Sequence, residues 1–295
     1  MTKSALGGRN TEASVLMQGP VSHPALAELT EFVSAAWQEA KPIDGVFLRS
    51  YLAQYEVNRA ARESLEEFHE LKEPLVESAQ GSPLDLTWES FKDGIKADPH
   101  NSVERRLKIL EAAQQLFERH GSFALMDKME RKAIAGTFAD NEPGLADLPW
   151  GWFGSMFGAG TFKALVNEPS ELLSRALDRI PLRGPVAESQ YKAFVSDFKA
   201  AFDGSARKGN IAPASRLLAL KRPDQFVAVN DRNRRGLCSA FGTAFSTLNL
   251  DNYWARIIVP MTLSPWWREQ RPSSPRSARL WDNRAAMLDC IYYEQ

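Results

Sequence analysis

The stretch NSVERRLKILEAAQQLFERHG, from Asn101 to Gly121, decides the fold class. Val103, Leu107, Leu110, Ala113 and Leu116 or Phe117 recur at three- and four-residue spacing, so they share one stripe of an α-helix while charged residues cover its other faces. Asn101 followed three positions later by Glu104 predicts a capping-box start. Gly121 predicts the stop, because glycine readily enters the left-handed conformation that closes a helix.

The same spacing recurs on both sides. Ser22 and Pro24 open a helix through about Ala40 with Leu26, Leu29, Val33, Ala36 and Trp37 on one face. A longer helix from about Asp44 to Lys72 carries the stripes Phe47, Tyr51, Tyr55 and Leu65, Phe68, Leu71. Further helices are predicted at about 122–135, 161–167, 170–180, 187–203, 212–221, 231–241, 250–258 and 276–293, punctuated by prolines from Pro169 to Pro265. Strand signals are scarce and no repeat of about 20 to 50 residues is present. The expectation is therefore an all-α, multi-helix globular protein with an N-terminal acidic helical hairpin and a C-terminal basic helical domain. Gly81, Pro83, Gly94 and Pro99 make 78–99 an expected irregular connection, which divides the chain into a disordered N-terminus (1–20), an acidic helical subdomain (21–98) and a helical domain (99–295).

The 295 residues are 44% hydrophobic and 25% charged, a globular composition. Cys238 and Cys290 are the only cysteines and lack metal-ligand spacing, which points to a reducing, cytoplasmic setting. No signal-peptide run and no stretch of about 18 apolar residues is found, so no membrane role is expected. Net charge is −1, but residues 1–100 carry 9 basic and 16 acidic side chains whereas 205–295 carry 14 and 7. Such a split lets the C-terminal part face a polyanion; the alternative is that the two ends attract each other.

Several chemistries lack their residues. His23, His69, His100 and His120 are dispersed, and His69-Glu70 has no second histidine four residues on, so neither a metal centre nor a cofactor is expected. A restriction-type nuclease pairs an aspartate with an acid one residue short of a lysine; Pro223-Asp224 has no such follower, and Glu89-Ser90-Phe91-Lys92 has one residue too many. Cys238 has no histidine nearby in sequence and reads as a small buried residue.

Two segments remain. In PWGWFGSMFGAGTFK, from Pro149 to Lys163, glycines let backbone amides converge on an anion ahead of a helix start, making Gly154, Ser155, Gly158, Gly160 and Lys163 a candidate phosphate loop. The alternative is a loop packed tightly under Trp150, Trp152 and Phe153. No Gly-Lys-Ser/Thr ending follows. From Gly209 to Gly242 the chain reads GNIAPASRLLALKRPDQFVAVNDRNRRGLCSAFG. A short helix, Ala214 to Leu220, stops at Lys221-Arg222-Pro223; an extended piece spans Phe226 to Val229; Asn230 or Asp231 caps a second helix ending at Gly242. There Asn233, Leu237, Ala240 and Phe241 share a face opposite Arg232, Arg235 and Ser239. Arginines crowd its first turn against the helix dipole, a conflict that an anionic partner would resolve and that solvation alone also tolerates.

The run from Ala214 to Gly242 resembles the second half of the core of the helix-hairpin-helix DNA glycosylase superfamily, in which a helix, a proline-containing turn and a short extended Phe-x-Val-Asp piece lead into an arginine-bearing helix; the extended piece here is Phe226-Val227-Ala228-Val229. The resemblance implies a backbone grip on a DNA phosphate and a catalytic aspartate directly after the valine. Here Val229 is followed by Asn230, with Asp231 one position later, and Lys208-Gly209-Asn210 stands where the glycine-rich hairpin would be. It therefore implies the fold and the phosphate contact more than base excision.

The expected function is a non-catalytic nucleic-acid-binding module that contacts DNA or RNA through Lys208, Arg216, Lys221, Arg222, Asn230, Arg232, Asn233, Arg234 and Arg235, with a protein partner on the acidic N-terminal helices. A bacterial accessory role in restriction or anti-phage defence is a setting that would fit such a module. Two alternatives are a glycosylase-like enzyme using Asp231 or Asp224 beside Gly154 to Lys163, and an assembly factor without a nucleic-acid role. Further on, Arg268, Arg271, Arg276, Arg279 and Arg284 stand among Trp254, Trp266, Trp267 and Trp281. Trp281, Ala285, Leu288 and Ile291 or Tyr292 fall on one core stripe, which leaves Trp266-Trp267 as the stacking candidate.

Overall fold

The computed structural model describes residues 82–293 except 140, 141, 143 and 206. The expected disordered N-terminus and acidic hairpin lie outside the described residues. The chain divides between Val76 and Glu77, and the second unit contains all that follows. In chain order its helices are α1 (Trp88–Lys96), α2 (Val103–His120), α3 (Lys128–Ala135), α4 (Gly160–Asn167), α5 (Glu171–Asp178), α6 (Glu188–Ala200), α7 (Ile211–Lys221), α8 (Arg234–Ala240), α9 (Leu250–Tyr253), α10 (Val259–Leu263), α11 (Pro265–Arg268), α12 (Pro275–Trp281) and α13 (Arg284–Tyr292). Among the described residues the protein is all-helical, and no helix is long and apolar enough to cross a membrane.

The organising element is α7. Its sequence, IAPASRLLALK, is apolar nearly all round, and ten of its eleven residues are buried. A helix with no polar face has to sit inside the bundle. It packs against α2, α3, α9 and α13. The extended piece that follows, Phe226 to Val229, is wholly buried yet belongs to no sheet. Its backbone groups are satisfied by side chains instead: Tyr253 Oη accepts from Val227 N and donates to Val227 O, and Ser215 Oγ accepts from Val229 N at 2.8 Å. That substitution lets an unpaired strand survive in the interior.

Three expectations are corrected. The segment 78–99 is not an irregular link, because it contains α1, which packs on α11 and α13. Trp88, Phe91 and Ile95 form an apolar face that the two glycines and prolines of that stretch obscured. The start of α2 is not an Asn101/Glu104 box: Asp98 accepts from the Ser102 amide at 2.6 Å and its hydroxyl at 2.7 Å, while Glu104 pairs with Arg279. The single helix expected over 276–293 is two, broken at Asp282-Asn283. Pro260 leaves its own trace: it offers no amide to the turn before it, and the chain there winds as a π-helix over Trp254–Ile258, with Val259 N bonded to Trp254 O.

Candidate functional site

A cleft of about 630 Å³ opens where three segments meet. One wall is the glycine-rich loop and the start of α4, from Gly151 to Phe162. A second runs from Phe202 through Arg207, Lys208 and Asn210 to Pro213 in α7. The third is Asn230-Asp231-Arg232 with Tyr293. Two segments singled out in the sequence, far apart along the chain, therefore share one site.

The loop is held from below by Arg216. Its guanidinium is fully buried and faces no carboxylate; all of its hydrogen bonds go to main-chain carbonyls. Nε and Nη2 reach Ile134 and Ala133 at the end of α3, at 2.9 and 3.1 Å. Nη1 and Nη2 reach Trp152, Gly154 and Trp150 at 2.6, 2.8 and 2.7 Å. Burial pushes its pKa down to about 9, which still leaves it charged at neutral pH. A cation thus lies directly behind the cleft wall. The bend this requires is visible at Phe153 and Gly154, both in the positive-φ region. A Cβ on Gly154 would fall 2.7 Å from Asn230 Cβ, so only glycine permits that contact. Trp150 and Phe153 are buried beneath the loop, so the tight-packing reading and the cleft-lining reading describe its two faces.

Beneath the third wall lies a polar network. Asp289, fully buried, accepts from Arg106 and Asn233 and, at 3.3 Å, from Asn230 Nδ2. Arg106 donates from Nε to Ser102 Oγ at 2.7 Å, and its guanidinium lies 4.2 Å from the centre of the Trp152 ring and 4.9 Å from that of Tyr293. Desolvation lowers its pKa, opposed by the nearby Asp98. The network fixes Asn230, whose side-chain oxygen accepts from the Arg232 amide at 2.9 Å and so orients the turn that carries Asp231 and Arg232.

The structure separates the nine candidate nucleic-acid contacts. Lys208 and Arg232 are exposed and line the cleft; Asn230 lines it from a buried position. Arg216, Lys221, Arg222 and Asn233 are interior. Lys221 Nζ donates to Leu177 O at 2.7 Å, and desolvation lowers its pKa to about 8. Arg222 pairs with Asp224 and caps Pro181 and Gly184 carbonyls at 2.7 and 2.6 Å. Arg234 is half-buried and bonded to Phe245 O and Leu248 O, and Arg235 is exposed outside the cleft. Arg216, Lys221, Arg222 and Asn233 are buried and bonded to the protein's own carbonyls and carboxylates, so none of them is presented to a phosphate of a bulky strand.

Of the candidate phosphate loop, Gly154, Ser155 and Gly158 line the cleft. Gly160 and Lys163 do not; the Lys163 ammonium lies 4.0 Å over the Phe157 ring. The helix start does reach it, through Ala159, Thr161 and Phe162. Helix α4 has no side-chain cap, and while Gly160 N bonds to Gly158 O and Lys163 N to Ala159 O, the amides of Thr161 and Phe162 have no intrahelical acceptor. The start of α7 differs, since Asn210 Oδ1 accepts from Ala212 N and Pro213 has no amide to offer. Arg207, Phe202 and Tyr293 were not foreseen. Arg207 was legible beside Lys208, whereas Tyr293 comes from the far end of the chain and had no local signal.

The C-terminal arginine and tryptophan group is not a second surface of this kind. Trp266 is fully buried, stacked on Phe91 at 4.4 Å, with Nε1 bonded to Pro83 O, so it is no stacking platform. Arg271 pairs with Asp282, Arg279 with Glu104 and Glu111, and Arg284 is buried against Trp267 and Trp281. Cys238 and Cys290 are buried, and burial raises both thiol pKa values, that of Cys290 to about 12. Among the described residues no cluster of histidine, cysteine and carboxylate side chains is close enough to hold a metal ion. No family model matches the chain, and no curated protein or solved structure matches it either.

Proposed function

We propose that the cleft is a non-catalytic binding site for a phosphate group of a nucleic-acid strand. The observation that carries the reading is convergence: Arg207, Lys208 and Arg232 stand around one cavity with the open amides of α4, and buried Arg216 lies behind the loop. Helix starts and guanidinium groups both favour anions. Phe202 and Tyr293 add apolar lining beside the cations, which suits the base or sugar next to a phosphate. The helix-hairpin-helix resemblance would add a phosphate grip near Lys208-Gly209-Asn210, of which Lys208 and Asn210 line the cleft.

The test is fluorescence anisotropy with single-stranded and duplex DNA and RNA at two salt concentrations, for the wild type and Lys208→Ser/Arg232→Ser. Wild-type affinity falls with salt, since each neutralised phosphate releases counterions, and the double variant binds at least ten-fold more weakly. Absence of binding, or binding indifferent to salt and to the double substitution, refutes the reading. One observation favours an enzyme as a second reading: Asp231 is exposed in the same cleft. If it acts as a base, Asp231→Asn abolishes product formation while leaving strand affinity unchanged or raised.

A further inference from the structure

We infer that the phosphate this cleft takes is a terminal monoester, at the end of a strand or on a free nucleotide, and not an internal diester of a continuous backbone. The inference rests on the cleft's being a phosphate site and adds which phosphate. Three features of the geometry carry it. The first is size: walls from 151–162, 202–213 and 230–232 with Tyr293 line a cleft of about 630 Å³. That is the size of a small-molecule site, enough for a phosphate and one nucleoside, not a track for a chain that enters and leaves.

The second is charge. The lining has three cations, Arg207, Lys208 and Arg232, and one carboxylate, Asp231, an excess of two positive charges. A monoester carries about −1.5 to −2 at neutral pH with three terminal oxygens, whereas a diester carries one charge and two free oxygens. Further donors stand with the cations, since Ser155, Thr161 and Phe162 line the same space and the Thr161 and Phe162 amides have no intrahelical acceptor. The third is the state of the cations outside the cleft. A backbone track needs a continuous row of free cations, but Arg222, Arg271, Arg279 and Lys199 are each held by a carboxylate. Exposed Arg235, Arg256, Arg268 and Arg276 line no part of the cleft.

The experiment uses the full chain and internally labelled single-stranded decamers bearing a 5′-phosphate, a 3′-phosphate or no terminal phosphate, with nucleoside 5′-monophosphate as competitor. One phosphorylated decamer binds at least ten-fold tighter than the unphosphorylated one. Its advantage shrinks several-fold between pH 7.5 and pH 5, as the monoester gains its second proton near a pKa of about 6 while lysine and arginine stay charged. The advantage disappears in Lys208→Ser/Arg232→Ser. Equal binding of all three decamers, still lost in the double variant, overturns the monoester inference and leaves the phosphate reading standing. Binding of the free nucleotide with no decamer bound supports the monoester and removes the strand as its source. No binding of any probe overturns both.

Discussion

Arg216 Nη1 lies 2.8 Å from the carbonyl oxygen of Gly154, although the two residues belong to segments more than sixty positions apart. This contact makes the glycine-rich loop part of the core of the domain. A planar fork with five donors matches five carbonyls from α3 and the loop, which a flexible ammonium with three donors cannot do. Arg216→Met leaves those acceptors buried without partners and destabilises the protein by about 3–5 kcal/mol, and Arg216→Lys recovers less than half of that. Urea unfolding followed by tryptophan fluorescence measures both. A loss under about 1 kcal/mol in Arg216→Met would show that the loop does not depend on this anchor.

The glycines of the loop separate into those the backbone requires and those it does not. Gly154 has φ +95° and its Cβ would meet Asn230, whereas a Cβ on Gly158 meets nothing within 4 Å. Gly154→Ala therefore costs about 2–4 kcal/mol or shifts the loop and weakens ligand binding, while Gly158→Ala stays within about 0.5 kcal/mol of the wild type. Thermal denaturation of the pair is the check. Equal behaviour of the two variants would contradict the strain assigned to Gly154.

The helix periodicity of Asn101 to Gly121 was readable because packing alone governs it: Leu107, Leu110, Ala113, Leu116 and Phe117 are all buried. The first helix, Trp88–Lys96, was hidden because Pro83, Gly94 and Pro99 dominate a local reading, whereas the helix is fixed by Trp266, contributed from a distant part of the chain. The site was half legible for a related reason. Glycines mark the first wall and basic residues the other two, but arginine serves equally to bind an external anion and to satisfy internal carbonyls. Arg232 and Arg216 differ only in what the rest of the fold brings to them, and no local pattern records that.

The pair Arg106 and Asp289 offers a separate check on what supports the third wall. Both side chains are fully buried, and Asp289 also accepts from Asn230 and Asn233. Removing one partner strands the other charge in the interior. Asp289→Leu and Arg106→Met each cost about 3–5 kcal/mol, and the double variant costs less than the sum by about 2 kcal/mol or more. A double-mutant cycle by chemical denaturation gives the coupling directly. Additive losses would mean that the two groups do not depend on each other.

Lys221 gives stability a pH dependence of the opposite sense to a surface salt bridge. Burial lowers its pKa from 10.5 to about 8, with Asp178 opposing the shift from 4.0 Å. Below pH 8 the ammonium is protonated both folded and unfolded, so the whole cost of burying the charge is present. Between pH 8 and 10.5 the unfolded chain holds more protons than the folded one, so stability rises with pH, by up to about 1.4 kcal/mol per unit and about 1–3 kcal/mol across the window. Lys221→Met fills similar space without a titrating group, so its stability relative to the wild type is greatest near pH 7 and declines through that window. Unfolding free energies of both proteins at pH 7, 8, 9 and 10 cancel the contributions of all other groups. Parallel curves would show that Lys221 keeps an ordinary pKa and that its contact with Leu177 O, at 2.7 Å, suffices to solvate the charge.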